Sequence, residues 1–200
     1  MRETEGQILC QDGEAVEAYY FSTSAGVTST DEIWGSDEAA PYLRSVPCKF
    51  DEEEPWSSWI VELPWKMLED RIREKGKGTV LRSVTVTRRS ESGAATALEA
   101  VSDKDSCIIE NEYEIRKFLA PVNCMITEKD GTETTGGSLL PSAYFELERT
   151  QNGNLQVRGK GYGHGVGMSQ TGADKMAEQG YDYREILDYF FRNITVENLG

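Results

Sequence analysis

Two hundred residues are enough for one domain with a substantial core, and 38% hydrophobic residues with four Trp, nine Tyr and six Phe exclude a disordered chain. Lys and Arg number 21 against 35 Asp and Glu, a formal charge of -14; no basic cluster exceeds Arg88-Arg89, which sets nucleic acid aside as a partner. No apolar run approaches the roughly 18 to 20 residues of a membrane span, and Met1-Arg2-Glu3-Thr4-Glu5 opens no signal-peptide core, so a soluble chain without its own anchor is expected.

Gln7 to Gln11, an Asp12-Gly13 turn and Glu14 to Phe21 read as a hairpin, because Asp-Gly supplies the positive φ angles of a two-residue turn. Ser22-Thr23-Ser24-Ala25-Gly26 follows as a small-residue loop. Residues 31 to 50 read as irregular, broken by Pro41 and Pro47, and Asp51-Glu52-Glu53-Glu54-Pro55 reads as a solvated acidic turn. Pro64 opens a helix through Lys75, stopped by Gly76, with Trp65, Leu68 and Ile72 as its buried stripe.

Thr79 to Arg88 and Ala94 to Val101 alternate as an antiparallel pair around Ser92-Gly93. Ser106 to Glu110 is expected as a short strand and Glu112 to Leu119 as a helix stopped by Pro121. Ala143 to Arg149 and Leu155 to Arg158 form a further hairpin around Asn152-Gly153, and Ser169 to Gln179 a helix stopped by Gly180. Asp182 with Glu185 three residues on has the capping-box spacing, before a helix whose buried face is Ile186, Leu187 and Phe190. Strands and helices are segregated rather than alternating, so the expected fold class is α+β, antiparallel hairpins with a few short helices in two closely packed subdomains.

Cys10, Cys48, Cys107 and Cys124 lie far apart with no C-x-x-C, and His164 is the single histidine, so neither a metal nor a cofactor is expected. One or two disulfides are open to the sequence, Cys107 with Cys124 being the nearest pair, but buried free thiols are the favoured reading. The last fifty residues carry five Lys and Arg against six Asp and Glu, a nearly neutral quarter suited to an uncharged ligand.

That quarter holds Gly159-Lys160-Gly161-Tyr162-Gly163-His164-Gly165-Val166-Gly167-Met168-Ser169-Gln170, with glycine at every second position. On an extended chain this strips one face and lets a backbone or flat ligand approach. Dinucleotide and P-loop spacings both fail. His164 is a candidate base for Ser22 or Ser24, yet Ser24-Ala25-Gly26 lacks the preceding glycine of a nucleophile elbow.

Tyr20 to Gly26, Asp31-Glu32-Ile33-Trp34-Gly35, Pro41 to Val46 and Gly161 to Ala173 together resemble the stage II sporulation protein D and amidase-enhancer (LytB) family, over essentially the whole chain. The resemblance implies sporulation-associated peptidoglycan remodelling by a lytic transglycosylase that cleaves peptide-free glycan strands during engulfment. In such chemistry one glutamic acid protonates the glycosidic oxygen and then helps the muramic C6 hydroxyl close onto C1, whereas ordinary glycosidases need two carboxylates.

The family's acid lies in a segment before the hairpin, and no Glu-x-Pro followed by an alanine-rich helix occurs here. The catalytic residue is therefore unknown, with Glu14, Glu17 and Glu32 as the acids to test if the chain cleaves. Residues 1–200 read as one such domain lacking its N-terminal part, with 1–50 and 140–200 forming a groove and 55–135 a connecting α/β subdomain. Ser22, Ser24, Trp34, Gly163, His164, Gly165 and Gln170 are the expected glycan-binding residues, Trp34 as a stacking platform. Glycan strands, a partner amidase and a membrane scaffold of the engulfment machinery are the implied partners, and the full-length parent is implied to be extracytoplasmic and membrane-anchored. A non-catalytic peptidoglycan-binding or amidase-enhancing module is the alternative.

Overall fold

The computed structural model describes residues 4–198. Among these residues are thirteen strands, β1 to β13, in mainly antiparallel sheets, and four α-helices, α1 to α4, the α+β class expected. The first core is built on a five-stranded sheet in the order β10 (Phe145–Arg149), β11 (Leu155–Gly159), β4 (Trp59–Leu63), β8 (Met125–Glu128), β9 (Glu133–Thr135). A second sheet of β5 (Leu81–Arg89), β6 (Ala95–Ser102) and β7 (Ser106–Glu110) contributes to the same core. Val61, Leu63, Leu98, Leu155 and Val157 meet there with Leu68 and Ile72 of α1 (Trp65–Glu74) and Ile115 and Phe118 of α2 (Glu112–Phe118). Each fully buried aliphatic side chain contributes about 1.5 to 3 kcal/mol. Trp65 lies at the edge, its Nε1–H donating to Leu81 O at 3.1 Å under the Arg149 guanidinium.

The second core joins the chain's two ends. Ile33, Leu43, Val46 and Cys48 pack against Val166, Met176 of α3 (Gln170–Glu178), and Ile186 and Phe190 of α4 (Tyr183–Phe190). The capping box at α4 forms in full: Asp182 Oδ1 accepts from the Glu185 N–H at 2.9 Å, and Glu185 Oε2 from the Asp182 N–H at 2.8 Å. β1 (Gln7–Gln11) lies between β2 (Glu14–Ala15) and β13 (Thr195–Asn198), closing the ends into a three-stranded sheet.

Several expectations are corrected. The second arm of the opening hairpin stops at Ala15, and Tyr20–Phe21, as β3, instead pairs in parallel with β12, Met168–Ser169. The stretch 31–50 contains a 3-10 turn at Asp31–Trp34. β4, β8, β9 and β13 are strands that the local sequence pattern does not mark; β4 is short and abuts the proline that starts α1. In β5 the simple alternation fails because register shifts at Leu81/Ser83 and Val86/Arg88 change which parity faces inward. All four cysteines are free thiols, as the favoured reading had it, but only Cys10 and Cys48 are buried, Cys107 and Cys124 being partly exposed.

The largest correction is Asp51. Far from being solvated, it is 1% exposed, and its carboxylate gathers donors from two other segments. Oδ1 accepts from Ser24 Oγ at 2.7 Å; Oδ2 accepts from the Ser24 N–H at 2.8 Å, Ser169 Oγ at 2.6 Å and Thr171 Oγ1 at 3.3 Å. Ser169 is also the N-cap of α3, its Oγ accepting from the Gly172 N–H, so the positive end of the helix faces the carboxylate. A charge so buried persists only with this degree of hydrogen bonding.

Removing it leaves the Ser24 N–H without an acceptor and turns the hydroxyls of Ser24, Ser169 and Thr171 to neutral carbonyls, Cys48 O and Ser22 O, at 3.1 to 3.3 Å. Asp51→Ala is therefore expected to lower the unfolding free energy by about 2 to 4 kcal/mol, while Glu53→Ala, at an exposed position paired only with Lys129, changes it by less than about 0.5 kcal/mol. Urea unfolding of the two variants would check the contrast.

Candidate functional site

The glycine-histidine loop is not extended. Gly161, Gly163, Gly165 and Gly167 all have positive φ, and the intervening residues turn back between them. Two positions show why glycine is required. At Gly167 (φ +77°) a Cβ would sit 2.2 Å from Tyr19 O, and at Gly163 (φ +119°) one would sit 2.6 Å from Phe21 Cβ. At Gly165 the obstruction is the Tyr144 ring. Bare backbone thus lies directly on the segment Tyr19 to Ser29.

Main-chain bonds lace the two together. Thr23 and Tyr162 exchange N–H···O bonds of 3.1 and 2.8 Å, the Met168 N–H donates to Tyr19 O at 3.0 Å, the Ser29 N–H to Gly165 O at 2.6 Å, and the Thr171 N–H to Ser22 O at 3.0 Å. Trp59 Nε1–H donates to Gly161 O at 2.9 Å, tying the loop to the first core.

This seating fixes His164. Its ring packs edge-on between Trp34, with centroids 5.2 Å apart, and Phe21, at 5.8 Å; Tyr19 lies 5.0 Å from Trp34 on the far side. Nδ1 accepts from the Val166 N–H at 3.1 Å, so the neutral ring carries its proton on Nε2. Burial, then the positive charge of Arg116, pushes the imidazole down to about 4, against an opposing hydrogen bond to the Tyr20 backbone. At neutral pH the ring is uncharged.

Trp34 also lines an open cavity of about 500 Å³ with Glu32, Arg88, Arg89, Glu110 and Asn111. Arg88 pairs with Glu110 at 3.3 Å. Of the three acids singled out from the sequence, Glu32 alone lines this cavity, while Glu14 lies in the small terminal sheet and Glu17 accepts from the Tyr19 hydroxyl. An indole face bordered by carboxylates, guanidinia and an amide is suited to a polar ring with apolar faces.

The other expected residues divide. Ser24 spends its hydroxyl on Asp51; Ser22 is half-buried, with its carbonyl accepting from Thr171 and its Oγ 3.3 Å from Thr23 Oγ1; Gln170 is exposed at the first residue of α3. No hydrogen bond joins His164 to Ser22 or Ser24 among the described residues, which leaves the serine-nucleophile arrangement unassembled. No group of three or more His, Cys, Asp or Glu among the described residues is placed to hold a metal ion. Asp51, missed from the sequence, sat in an acidic run that reads as solvated by composition.

Residues 48–167 match the family described as Domain of unknown function (DUF8618), and the chain belongs to that family. Its relatives carry more informative names. It is 30% identical to the Stage II sporulation protein D of Bacillus amyloliquefaciens over 193 residues, 96% of this chain and 48% of that protein. It is 28% identical to the protein of the same name from Bacillus subtilis, again over 96% of the chain and 48% of the relative. It is 23% identical to the Amidase enhancer of Bacillus subtilis over 98% of the chain and 32% of the relative. The resemblance drawn from the motifs is thereby borne out, and the chain spans about half or less of the curated relatives it matches. No helix among the described residues is long and apolar enough to cross a membrane.

Two measurements check the site. With one histidine in the chain, a single imidazole resonance should titrate near 4 in the folded protein. Because the folded value lies below the unfolded value of about 6.5, this group's stabilisation is complete above pH 6.5, is lost as pH falls to about 4, and falls no further below that; the loss is about 2 to 3 kcal/mol and should disappear in His164→Gln. Separately, Gly167→Ala should destabilise by about 2 kcal/mol or more, whereas Gly137→Ala, where a Cβ meets nothing within 4 Å, should be nearly neutral. Thermal melts of both would show it.

Proposed function

We propose that the chain takes part in sporulation-associated remodelling of bacterial cell-wall peptidoglycan, as the glycan-holding face of a lytic transglycosylase acting on peptide-free strands. The observation that carries this reading is the match to relatives named Stage II sporulation protein D along 96% of the chain, a span that takes in both the Tyr20 to Gly26 segment and the glycine-histidine loop. The cleft beside Trp34 supports it: an indole offers a stacking face to a pyranose, with Glu32, Glu110 and Asn111 in reach of hydroxyls. His164, neutral and packed against the indole, would hold that face in position.

A lytic transglycosylase needs one carboxyl that is still protonated near neutral pH, which calls for burial or a like-charged neighbour. Glu32 is exposed. The reading therefore assigns the proton donor to a carboxyl contributed from outside residues 1–200, and the cell-wall location, membrane scaffold and partner amidase to the larger assembly. A second reading, an amidase-enhancing module without glycan cleavage of its own, is favoured by the relative named Amidase enhancer.

Incubation with peptide-free glycan strands, followed by pull-down and mass spectrometry, tests these readings. Retention without new ends fits the proposal. Anhydro-muramic ends that vanish in Glu32→Gln would place the acid in this chain, and neither retention nor cleavage would overturn the glycan-holding reading. Adding a full-length relative separates the second reading: anhydro ends that depend on the relative's own acid would sink it. Trp34→Ala should weaken retention roughly fivefold to tenfold while Trp34→Phe keeps most of it.

A further inference from the structure

Beside the Ser24 to Val27 loop two smaller cavities meet, the larger sharing Arg89 with the cavity beside Trp34. One, of about 290 Å³, is lined by Val27, Ser92, Tyr144, Phe145 and the cations Arg89 and Arg158; the other, of about 230 Å³, by Gly26, Ser57, Ser58 and Lys129. Ala25 and Lys160 line both. In a chain of charge -14 this is an unusual concentration of positive charge, offset on the walls by Glu146 and Glu52 alone.

The cations are not equivalent. Arg89 is held by Phe145 O at 2.7 Å, Gly93 O at 3.0 Å and Glu146 at 3.0 Å, and Lys129 by Glu52 O at 2.6 Å and Glu53 at 2.9 Å. Arg158 has a loose partner in Glu148 at 3.8 Å. Lys160 is exposed and has no carboxylate in ion-pair range among the described residues. Its backbone, by contrast, is pinned on both sides: its N–H donates to Tyr144 O at 2.9 Å, and its carbonyl accepts from Ser142 Oγ at 2.6 Å. A fixed stem thus presents one free ammonium at the junction of two compartments.

Behind the larger compartment lies a chain of hydroxyls. Tyr144 OH donates to Ser29 Oγ at 2.8 Å and lies 3.2 Å from Ser92 Oγ, which in turn lies 2.8 Å from Ser90 Oγ. Hydroxyls, backbone and small apolar surface suit sugar rings, and one unpaired cation for two compartments suits a polymer with one negative charge for every two rings.

We infer that Lys160 is a specificity residue that recognises a carboxylate on a glycan lying across these two compartments. Resting on the function proposed above, the carboxylate is the lactyl group of a muramic residue, which is ionised only when no stem peptide is amide-linked to it. A charged hydrogen bond with this ammonium would then distinguish peptide-free strands from the same backbone without lactyl groups, against the general repulsion of an acidic surface.

The test compares peptide-free glycan strands, peptide-bearing strands and chitin oligomers of matched length, by titration calorimetry at low and high salt. The wild-type chain is expected to prefer peptide-free strands over chitin by about threefold to tenfold at low salt, less at high salt. Lys160→Ala should remove that preference while changing chitin binding by less than about twofold, and Lys160→Arg should keep it. An unchanged melting temperature in both variants would show that the fold is intact. Chitin and peptide-free strands bound equally by the wild type, or losses in Lys160→Ala shared equally by both polymers, would overturn the inference and leave the glycan-holding reading standing. Binding to no polymer would overturn both. Lys160-dependent binding that is as tight or tighter to peptide-bearing strands would locate the carboxylate in the peptide and overturn the lactyl assignment.

Discussion

The structure turns on a carboxylate in the wrong solvent. Asp51 is buried where three segments converge, and its two oxygens take up the backbone and side chain of Ser24, the cap hydroxyl of α3 and the hydroxyl of Thr171. The desolvation of such a group is offset only if all of these donors are present together. The loop 22–26, the turn at 48–51 and the start of α3 are therefore correlated: displacing one leaves the charge under-bonded. Cys48 beside it, its thiol pushed up to about 12 chiefly by burial, stays protonated and donates to Asp51 Oδ1 at 3.6 Å.

From that anchor the glycine-histidine loop acquires its shape. α3 begins where Asp51 holds it, so the residues before it must pass over the Tyr19 to Ser29 segment at backbone contact distance. Alternate glycines answer a steric demand, and the side chains between them are directed by it: Tyr162 toward Trp56, His164 toward Phe21 and Trp34, Val166 into the core. Burial keeps His164 neutral, which favours a role as a hydrogen-bonding and packing element of the cleft over one as a cation.

Charge has a similar logic. The acidic excess is spread over the surface, whereas Arg89, Lys129, Arg158 and Lys160 come from separate strands and loops and meet along one groove. Three of the four have partners already, which leaves Lys160 as the group able to respond to a ligand. The near-neutral balance of the last quarter averages over fifty residues, and charge per segment carries no information about where side chains meet.

What the sequence determined by itself were features whose cause lies within a few residues. The Asp182 and Glu185 box, the Pro64 start and Gly76 stop of α1, the Leu68 and Ile72 stripe and the Asp12-Gly13 turn are local hydrogen-bond or steric requirements that spacing records directly. The α+β class followed from counting such elements, and the motif resemblance pointed to relatives that the whole chain then matched. Only the tertiary structure decided that Tyr20–Phe21 leaves its hairpin to pair with Met168–Ser169, that the alternating glycines turn rather than extend, that Asp51 is buried among apparently solvated neighbours, and that Lys160 faces a groove. Each of these depends on groups 20 to 150 residues apart satisfying one another's hydrogen bonds or excluding one another's volume, and no local pattern encodes a partner that distant.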